Sequence, residues 1–348
     1  MRKLFTFARP SLLFSLAVIV LVFPLGPIAN SQQTQTLTLR VRDRISITTE
    51  NEDPFQDPIK CDSDGNIYVR PYVRPLSMAA PVVKISLEGK RTATFAIRSV
   101  PEFDKSIAND FAVGPRGEVY IISSNAKGKQ IVSFDANGEY HSTVKLEGAF
   151  LPEQLAVNSS GAFLVGGYKE QKDNRATGTP FTGIFDHSGR LIKELELLGD
   201  LKPSKDAADK QKGAPLDPAI SMSNVVAVDD GNFYLMRAST PPVVYVIAPD
   251  GSVAHQLKIN PPGLGFAAGV MKAGGGKVVV EFYRAAKGQT PAEQVYSVLD
   301  ATTGDRFANY VLPPEMPHGG AFACYTPNGF TFIDANSNRQ LEFVTTTP

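Results

Sequence analysis

The sequence predicts an all-β fold: a six-bladed β-propeller closed by an N-terminal strand and preceded by a signal peptide. Three observations predict it. The first is a repeat. Six copies of one pattern run from about residue 57 to the end of the chain. Each copy has a short β-like run, a tight turn carrying Gly, a second run, a variable loop, a third run, another Gly turn and a fourth run. A repeat of roughly 40–50 residues with four short strands is the pattern of a propeller blade. The second is composition: 29 Gly, 26 Pro and only 20% charged residues suit an all-β chain with many turns. The third is an apolar stretch behind a basic start, which reads as a leader and not as part of the fold.

Arg2, Lys3 and Arg9 form the basic start, residues 11–23 are apolar, and Pro24 and Pro27 break that run. Ala29-Asn30-Ser31 then supplies the small residues a signal peptidase reads. Residues 1–31 are therefore expected to be a cleaved signal peptide, and 32–348 the propeller. An uncleaved membrane anchor is the rival reading, but the run is short against the ~20 residues a bilayer span needs. No Cys follows it, so a lipid anchor is not expected. The mature chain keeps 32 basic against 35 acidic residues, since three of the 35 basic ones leave with the leader. That near-balance gives no electrostatic reason to expect nucleic acid or an anionic membrane as partner. The expected location is secreted or periplasmic.

Taken in order, the blades are expected at these strands. Blade one is 59–64, 66–70, 82–87 and 91–97, and blade two is 111–114, 118–123, 130–134 and 141–146. Blade three is 155–158, 163–167, 183–186 and 191–197, and blade four is 225–228, 233–237, 243–248 and 253–259. Blade five is 269–272, 277–283, 294–299 and 306–311. Runs rich in Val, Ile, Phe and Tyr, bounded by Gly, Asp and Asn, are the strand signal. The first turns carry Gly65, Gly117, Gly161, Gly231, Gly276 and Gly329, and the second turns Gly89, Gly138, Gly189, Gly251 and Gly304. The sixth copy has Asn336-Ser337-Asn338 at its second turn. Blade six offers only 321–325, 330–334 and 340–345 before the chain ends. Its fourth strand is expected from 36–41, where polar and apolar residues alternate; lending it closes the ring and removes two open sheet edges. A linker following the leader is the alternative.

The phrases Asp64-Gly65-Asn66-Ile67-Tyr68-Val69 and Val228-Asp229-Asp230-Gly231-Asn232-Phe233-Tyr234, each followed by an apolar strand and a second Gly turn, resemble NHL-type repeats. Copies three, five and six resemble them loosely. The resemblance spans nearly all of the mature chain. It implies a six-bladed propeller, and its motifs are structural, so it implies no ligand. Trp is absent, which disfavours propellers that dock their blades through periodic Trp.

In such a blade the two Gly turns lie on one face, and the loops between strands two and three and between blades lie on the other. The latter are long here: 71–81, 169–180, 199–224, 285–293 and 312–320. Long loops on a rigid scaffold are where binding sites usually lie. The starts of the first strands should line the central mouth on that face. They offer Gln56 and Asp57, Asn109 and Asp110, Glu153 and Gln154, Ser223 and Asn224, Ala267 and Ala268, and His318. The expected ligand-binding residues are Asp57, Asn109, Asp110, Glu153, Gln154, Asn224 and His318. This set of carboxylates and amides resembles the oxygen-lined mouth of gluconolactonases and paraoxonases. That resemblance implies a divalent cation such as calcium, polarising a lactone or ester. No family motif matches residue by residue, and polar residues at a wet funnel need no metal.

Other signals are weaker. Asp62-x-Asp64-Gly65-Asn66 resembles part of a calcium loop, but Lys60 and Pro71 stand where ligands are needed, so a hairpin turn is the reading. His141, His187 and His255 fall on different blades, against a three-His zinc centre. No Ser sits in a nucleophile elbow and no phosphate loop is present. Arg70, Tyr72, Arg74, Arg237, Tyr283 and Arg284 fall at the upper ends of second strands, where an anionic or sugar ligand is one use and packing with a solvated rim the other.

Cys61 and Cys324 are the only cysteines. Both fall on innermost strands of blades that become neighbours when the ring closes, with opposite parity relative to their turn Gly, so they are expected to form a disulfide. Two buried free thiols are the alternative. The functional expectation is a secreted binding module that takes a protein, glycan or small-molecule ligand at the long-loop face. A calcium-type lactone or ester hydrolase is the alternative.

Overall fold

The computed structural model describes residues 35–48, 55–72, 79–125, 127–170, 176–197, 224–228, 230–237, 241–287, 292–316 and 320–348, with the backbone alone at 176–179 and 224. The expected signal peptide lies outside the described residues, as do most of the long-loop segments.

β1 (Thr36–Thr38) and β2 (Arg40–Ser46) precede blade one; the six sheets have four strands each, except that β1 adds a fifth to that of blade five. Blade one is β3 (Phe55–Cys61), β4 (Ile67–Pro71), β5 (Val82–Ile85) and β6 (Arg91–Phe95). Blade two is β7 (Ala108–Val113), β8 (Val119–Asn125), β9 (Gly128–Phe134) and β10 (Tyr140–Lys145). Blade three is β11 (Phe150–Val157), β12 (Phe163–Glu170), β13 (Ala176–Phe185) and β14 (Leu191–Glu194). Blade four is β15 (Asn224–Ala227), β16 (Phe233–Arg237), β17 (Val243–Ile247) and β18 (Val253–Lys258). Blade five is β19 (Ala267–Gly274), β20 (Lys277–Arg284), β21 (Glu293–Asp300) and β22 (Arg306–Val311). Blade six takes β23 (Ala321–Thr326), β24 (Gly329–Ala335) and β25 (Leu341–Thr347) from the C-terminus and β2 from the N-terminus. The protein is an all-β, six-bladed propeller.

The core sits between blades, not within them. Six apolar clusters occupy the six interfaces between consecutive blades. Strand alternation divides each second strand between two of them. On β4, Ile67 and Val69 face blade six while Tyr68 faces blade two. On β16, Phe233 and Leu235 pack toward blade three while Tyr234 and Met236 pack toward blade five. Strands buried on both faces need unbroken apolar runs, as Ile67–Val69 of β4 and Phe233–Met236 of β16 are. With no Trp, Phe and Tyr fill these layers; Tyr296 meets Phe322 and Phe332 edge-on at 5.2 and 5.3 Å between blades five and six.

The turns explain the Gly pattern. Gly65, Gly117, Gly161 and Gly231 hold φ between 78° and 85°, where a Cβ is strained. An Asp or Asn oxygen accepts the turn's N–H groups: Asn158 Oδ1 takes those of Ser160 and Ala162, and Asp186 Oδ1 those of Ser188 and Arg190. In blade six Asn336 takes the same acceptor role, and Arg339 supplies the positive φ, 64°, without Gly.

Three features differ from the sequence expectation. The strand paired to β25 is Arg40–Ser46, not 36–41, with Arg40 opposite Thr347 and Ser46 opposite Glu342. Thr36–Thr38 instead pairs in parallel with β22 of blade five. Leu39, 1% exposed, is wedged between blades five and six, so the chain must change sheets there. Arg44 fixes the new register through an ion pair with Glu342. Next, much of the expected 169–180 loop is strand: Tyr168 pairs with Pro180 and Glu170 with Ala176, leaving 171–175 outside. The third addition lies between blades one and two. Two short 3-10 turns, Ile97–Ser99 and Pro101–Phe103, bury Ile97 and Phe103 there.

Cys61 and Cys324 are disulfide-bonded, their Cα atoms 5.7 Å apart, and the bond spans 263 residues between blades one and six. Closing so long a loop stabilises by about 5 kcal/mol on the chain-entropy account. Replacing both cysteines by Ala is expected to lower unfolding free energy in denaturant melts by about 3–5 kcal/mol, and non-reducing peptide maps of the parent to show no alkylatable thiol. Deleting residues 35–46 is expected to cost on the order of 4 kcal/mol, because Leu39 is lost and the β25 edge is bared. An unchanged melting temperature in that variant would show that β2 is dispensable.

Candidate functional site

Each blade's innermost strand has a partner on one side only; its other edge faces the axis. At the long-loop end of these strands pairing is interrupted. The β-ladder slips between Gln56 and Lys60 in blade one, between Ala108 and Asp110 in blade two, and between Pro152 and Gln154 in blade three. It slips again between Ala268 and Met271 in blade five and between Phe322 and Cys324 in blade six. A bulge leaves a residue unpaired and re-aims its side chain. Asp57, Asn109 and Glu153 are all such bulge residues, and they stand at the same offset from Gly65, Gly117 and Gly161.

Beneath them, charged side chains cross the axis. Lys60 Nζ of blade one donates to Asp110 Oδ2 of blade two and to the Leu155 carbonyl of blade three, both at 3.0 Å. The same Asp110 oxygen accepts the Leu155 N–H at 2.7 Å. Lys272 Nζ of blade five reaches past blade six to the Ile59 carbonyl, 2.5 Å away. Arg70 Nη1 donates to the Ala108 carbonyl at 2.8 Å. Asp110, Arg70 and Lys272 are 5%, 3% and 8% exposed. Burying charge is tolerated where each is paired and hydrogen-bonded.

These surroundings shift titration. Burial and then the Lys60 charge pull Lys272 down to about 8, against Asp57 and Glu281. Burial lowers Lys60 too, with Asp110 opposing. Burial raises the Glu281 carboxyl despite hydrogen bonds from Val270 N–H and Gln294. Glu153 is raised by desolvation and then by Asp110; its side chain remains open to solvent.

Of the seven residues expected from sequence, Asp57, Asn109, Asp110 and Glu153 share this axial level. Gln154 stands beside Glu153, its carboxamide facing Gly166, where a Cβ would lie 3.1 Å from its oxygen. Asn224 begins β15, opposite Met236. His318 lies outside the described residues. The sequence reading missed Lys60, Lys272 and Glu281; the available signal was a lone Lys inside an apolar innermost strand, as in Ile59-Lys60-Cys61 and Met271-Lys272-Ala273. Arg70 and Arg237 are not rim residues. Both are buried ties between blades, Arg237 donating to Thr182 Oγ1 at 2.7 Å. Among the described residues no three His, Cys, Asp or Glu side chains converge to hold a metal ion. The Lys60 ammonium already holds one of the two Asp110 oxygens.

Strand order and the six inter-blade cores define the class as a six-bladed β-propeller. No family model and no curated protein sequence matches the chain. Among solved structures it is similar to a protein of unknown function from Bacteroides caccae, with 12% identity over 73% of this chain and 80% of that one, TM-score 0.44. It is also similar to virginiamycin B lyase from Staphylococcus aureus, with 11% identity over 76% and 96%, TM-score 0.39. The β-propeller domain of the Trilobed protease from Pyrococcus furiosus gives 12% identity over 82% and 78%, TM-score 0.41. At these values the likeness carries no functional inference.

Lys272 sets a pH signature. Its folded-state affinity for the proton is lower than in the unfolded chain, so the unfolded state holds more protons between about pH 8 and 10.5. Stability should rise with pH from about 8 and level off near 10, where Tyr68 and Tyr296, raised by burial, begin to act in the opposite sense. In Lys272→Met, urea melts across that window should lose the rise, a difference of about 3 kcal/mol from end to end. Parallel profiles for both proteins would remove Lys272 from this role.

Proposed function

We propose that this protein is an exported propeller of NHL-like type that works as a binding module, taking its ligand at the axial mouth and the long loops around it. The observation that carries the reading is the set of bulges at one level of five innermost strands, three of which present Asp57, Asn109 and Glu153. Bulges concentrate where a side chain is re-aimed for function. The Lys60 and Lys272 crossings beneath them put ionisable groups with perturbed titration at the floor, a further mark of a functional site. The Cys61–Cys324 disulfide supports export, because such bonds persist in oxidising compartments. Weighing against a metal-dependent hydrolase, no three His, Cys, Asp or Glu side chains converge among the described residues, and Lys60 already holds one Asp110 oxygen.

The test compares the two faces. Ligands are selected on immobilised protein from glycan and peptide libraries, then remeasured on Asn109→Ala/Glu153→Ala and on Lys90→Ala, an exposed residue of the Gly-turn face. The mouth variant should lose at least tenfold in affinity and Lys90→Ala less than twofold. The reverse order would move the site to the Gly-turn face. Calcium-dependent turnover of a lactone or ester panel would replace binding by catalysis.

A further inference from the structure

Three unpaired polar atoms surround the blade-two bulge. Asn109 Oδ1 and Asp110 Oδ1 are buried acceptors with no hydrogen-bond partner, and Arg70 Nε is a buried donor with none. They are neighbours: Arg70 donates its Nη1 to Ala108, the residue before Asn109, and its charge acts on Asp110. Buried polar atoms left unpaired cost about 1–3 kcal/mol each, so three around one bulge call for an ordered water or a ligand to complete them. The other charged groups beside this bulge are already bonded. Asp110 spends its other oxygen on Lys60 and Leu155, and Lys272 is bonded to Ile59.

The chemistry of the missing group follows. It must donate to two acceptors and accept from one donor at close range. An ammonium donates only, and it would lie among three fixed cations, Lys60, Lys272 and Arg70. A carboxylate accepts only and would face Asp110. A hydroxyl does both but donates only once, so two neighbouring hydroxyls are needed to meet the two acceptors, one of them also accepting from Arg70. Adjacent hydroxyls on one rigid ring extend the match toward Glu153 and Asp57 at the corresponding places of blades three and one. Tyr72 and Tyr283, about 40% exposed at the upper ends of second strands, supply apolar ring faces on the same side of the molecule.

We propose that the axial mouth is a carbohydrate site, in which the Asn109 bulge, with Asp110 and Arg70, forms the subsite for two neighbouring sugar hydroxyls. This rests on the binding reading above and narrows it to one ligand class.

The probe is a mixture of neutral saccharides (glucose, galactose, mannose, N-acetylglucosamine, cellotriose and maltotriose), followed by saturation-transfer NMR on the mature protein. Spermidine is tested in parallel. At least one saccharide should show transfer, and Asn109→Ala, which keeps Asp110 and Arg70, should weaken it about five- to tenfold, as loss of one hydrogen bond predicts. A high-resolution crystal soaked with that saccharide should place a hydroxyl within 3.2 Å of Asn109 Oδ1. Transfer to spermidine alone, or a water at Asn109 Oδ1 unchanged by saturating saccharide, would overturn the proposal. So would saccharide binding that Asn109→Ala leaves intact. If no saccharide binds but a selected peptide binds and the mouth variant abolishes it, the sugar assignment falls and the binding-module reading stands.

Discussion

The constraint on which this structure turns is the inner edge of each sheet. A ring of blades leaves six innermost strands whose N–H and C=O groups face the axis with no strand beyond them. Outer edges turn to water, whereas inner edges face one another across the axis. Backbone groups so placed need partners. Here charged side chains supply them: Lys60 and Asp110 cap the carbonyl and N–H of Leu155, Lys272 caps Ile59, and Arg70 caps Ala108. Each cap reaches from a different blade, so capping an edge also ties blades across the axis. The bulges follow from the same geometry. Where regular pairing stops near the mouth, the bulged residue turns outward and the next group is free to be capped.

The repeat made the fold legible. Gly turns at fixed spacing, apolar second strands and a blade short of one strand were enough to place nearly every strand within a few residues. The disulfide was legible for the same reason, because Cys61 and Cys324 sit at near-equivalent offsets in the first and last blades. The N-terminal register was not. Polar–apolar alternation runs through Leu39 from Thr36 to Arg42, and nothing local marks Leu39 as the point where the chain leaves blade five for blade six. Only the pocket between those blades decides that. The site was half legible. Bulge residues at strand starts announced themselves as polar, whereas the lysines beneath did not, since a Lys within an apolar run reads as a solvent-exposed position. Its length lets it cross the axis, which no one-dimensional pattern records.

Two closures act at the first and last blades, and they do different physical work. β2 pairs with β25 at the outer rim, where it supplies backbone hydrogen bonds and shields an edge. The disulfide joins β3 to β23 on the inner strands, beside the buried cluster of Ile59, Ala323 and Phe343. Rim pairing resists peeling from outside but leaves blade six free to tilt about its inner strand. A covalent bond near the axis removes that freedom. The consequence reaches the mouth. Ile59, which accepts from Lys272 across blade six, lies two residues from Cys61. Any tilt of blade six against blade one would stretch the crossing that spans it. The inner bond therefore preserves the geometry of the floor as well as the ring.

The choice of lysine over a bound cation at that floor has a cost and a consequence. A divalent ion would draw three or more carboxylates inward and leave them all charged. An ammonium needs only one carboxylate plus carbonyl oxygens, which the edges already offer. Lys60 thus satisfies Asp110 on one oxygen and leaves the other open, a division a chelated metal would not permit. The carboxylates not drawn in, Glu153 and Glu281, are both raised, first by desolvation. The open Asp110 oxygen accepts and the Arg70 Nε beside it donates, so the mouth offers both kinds of hydrogen-bonding group. That is a surface suited to uncharged polar ligands.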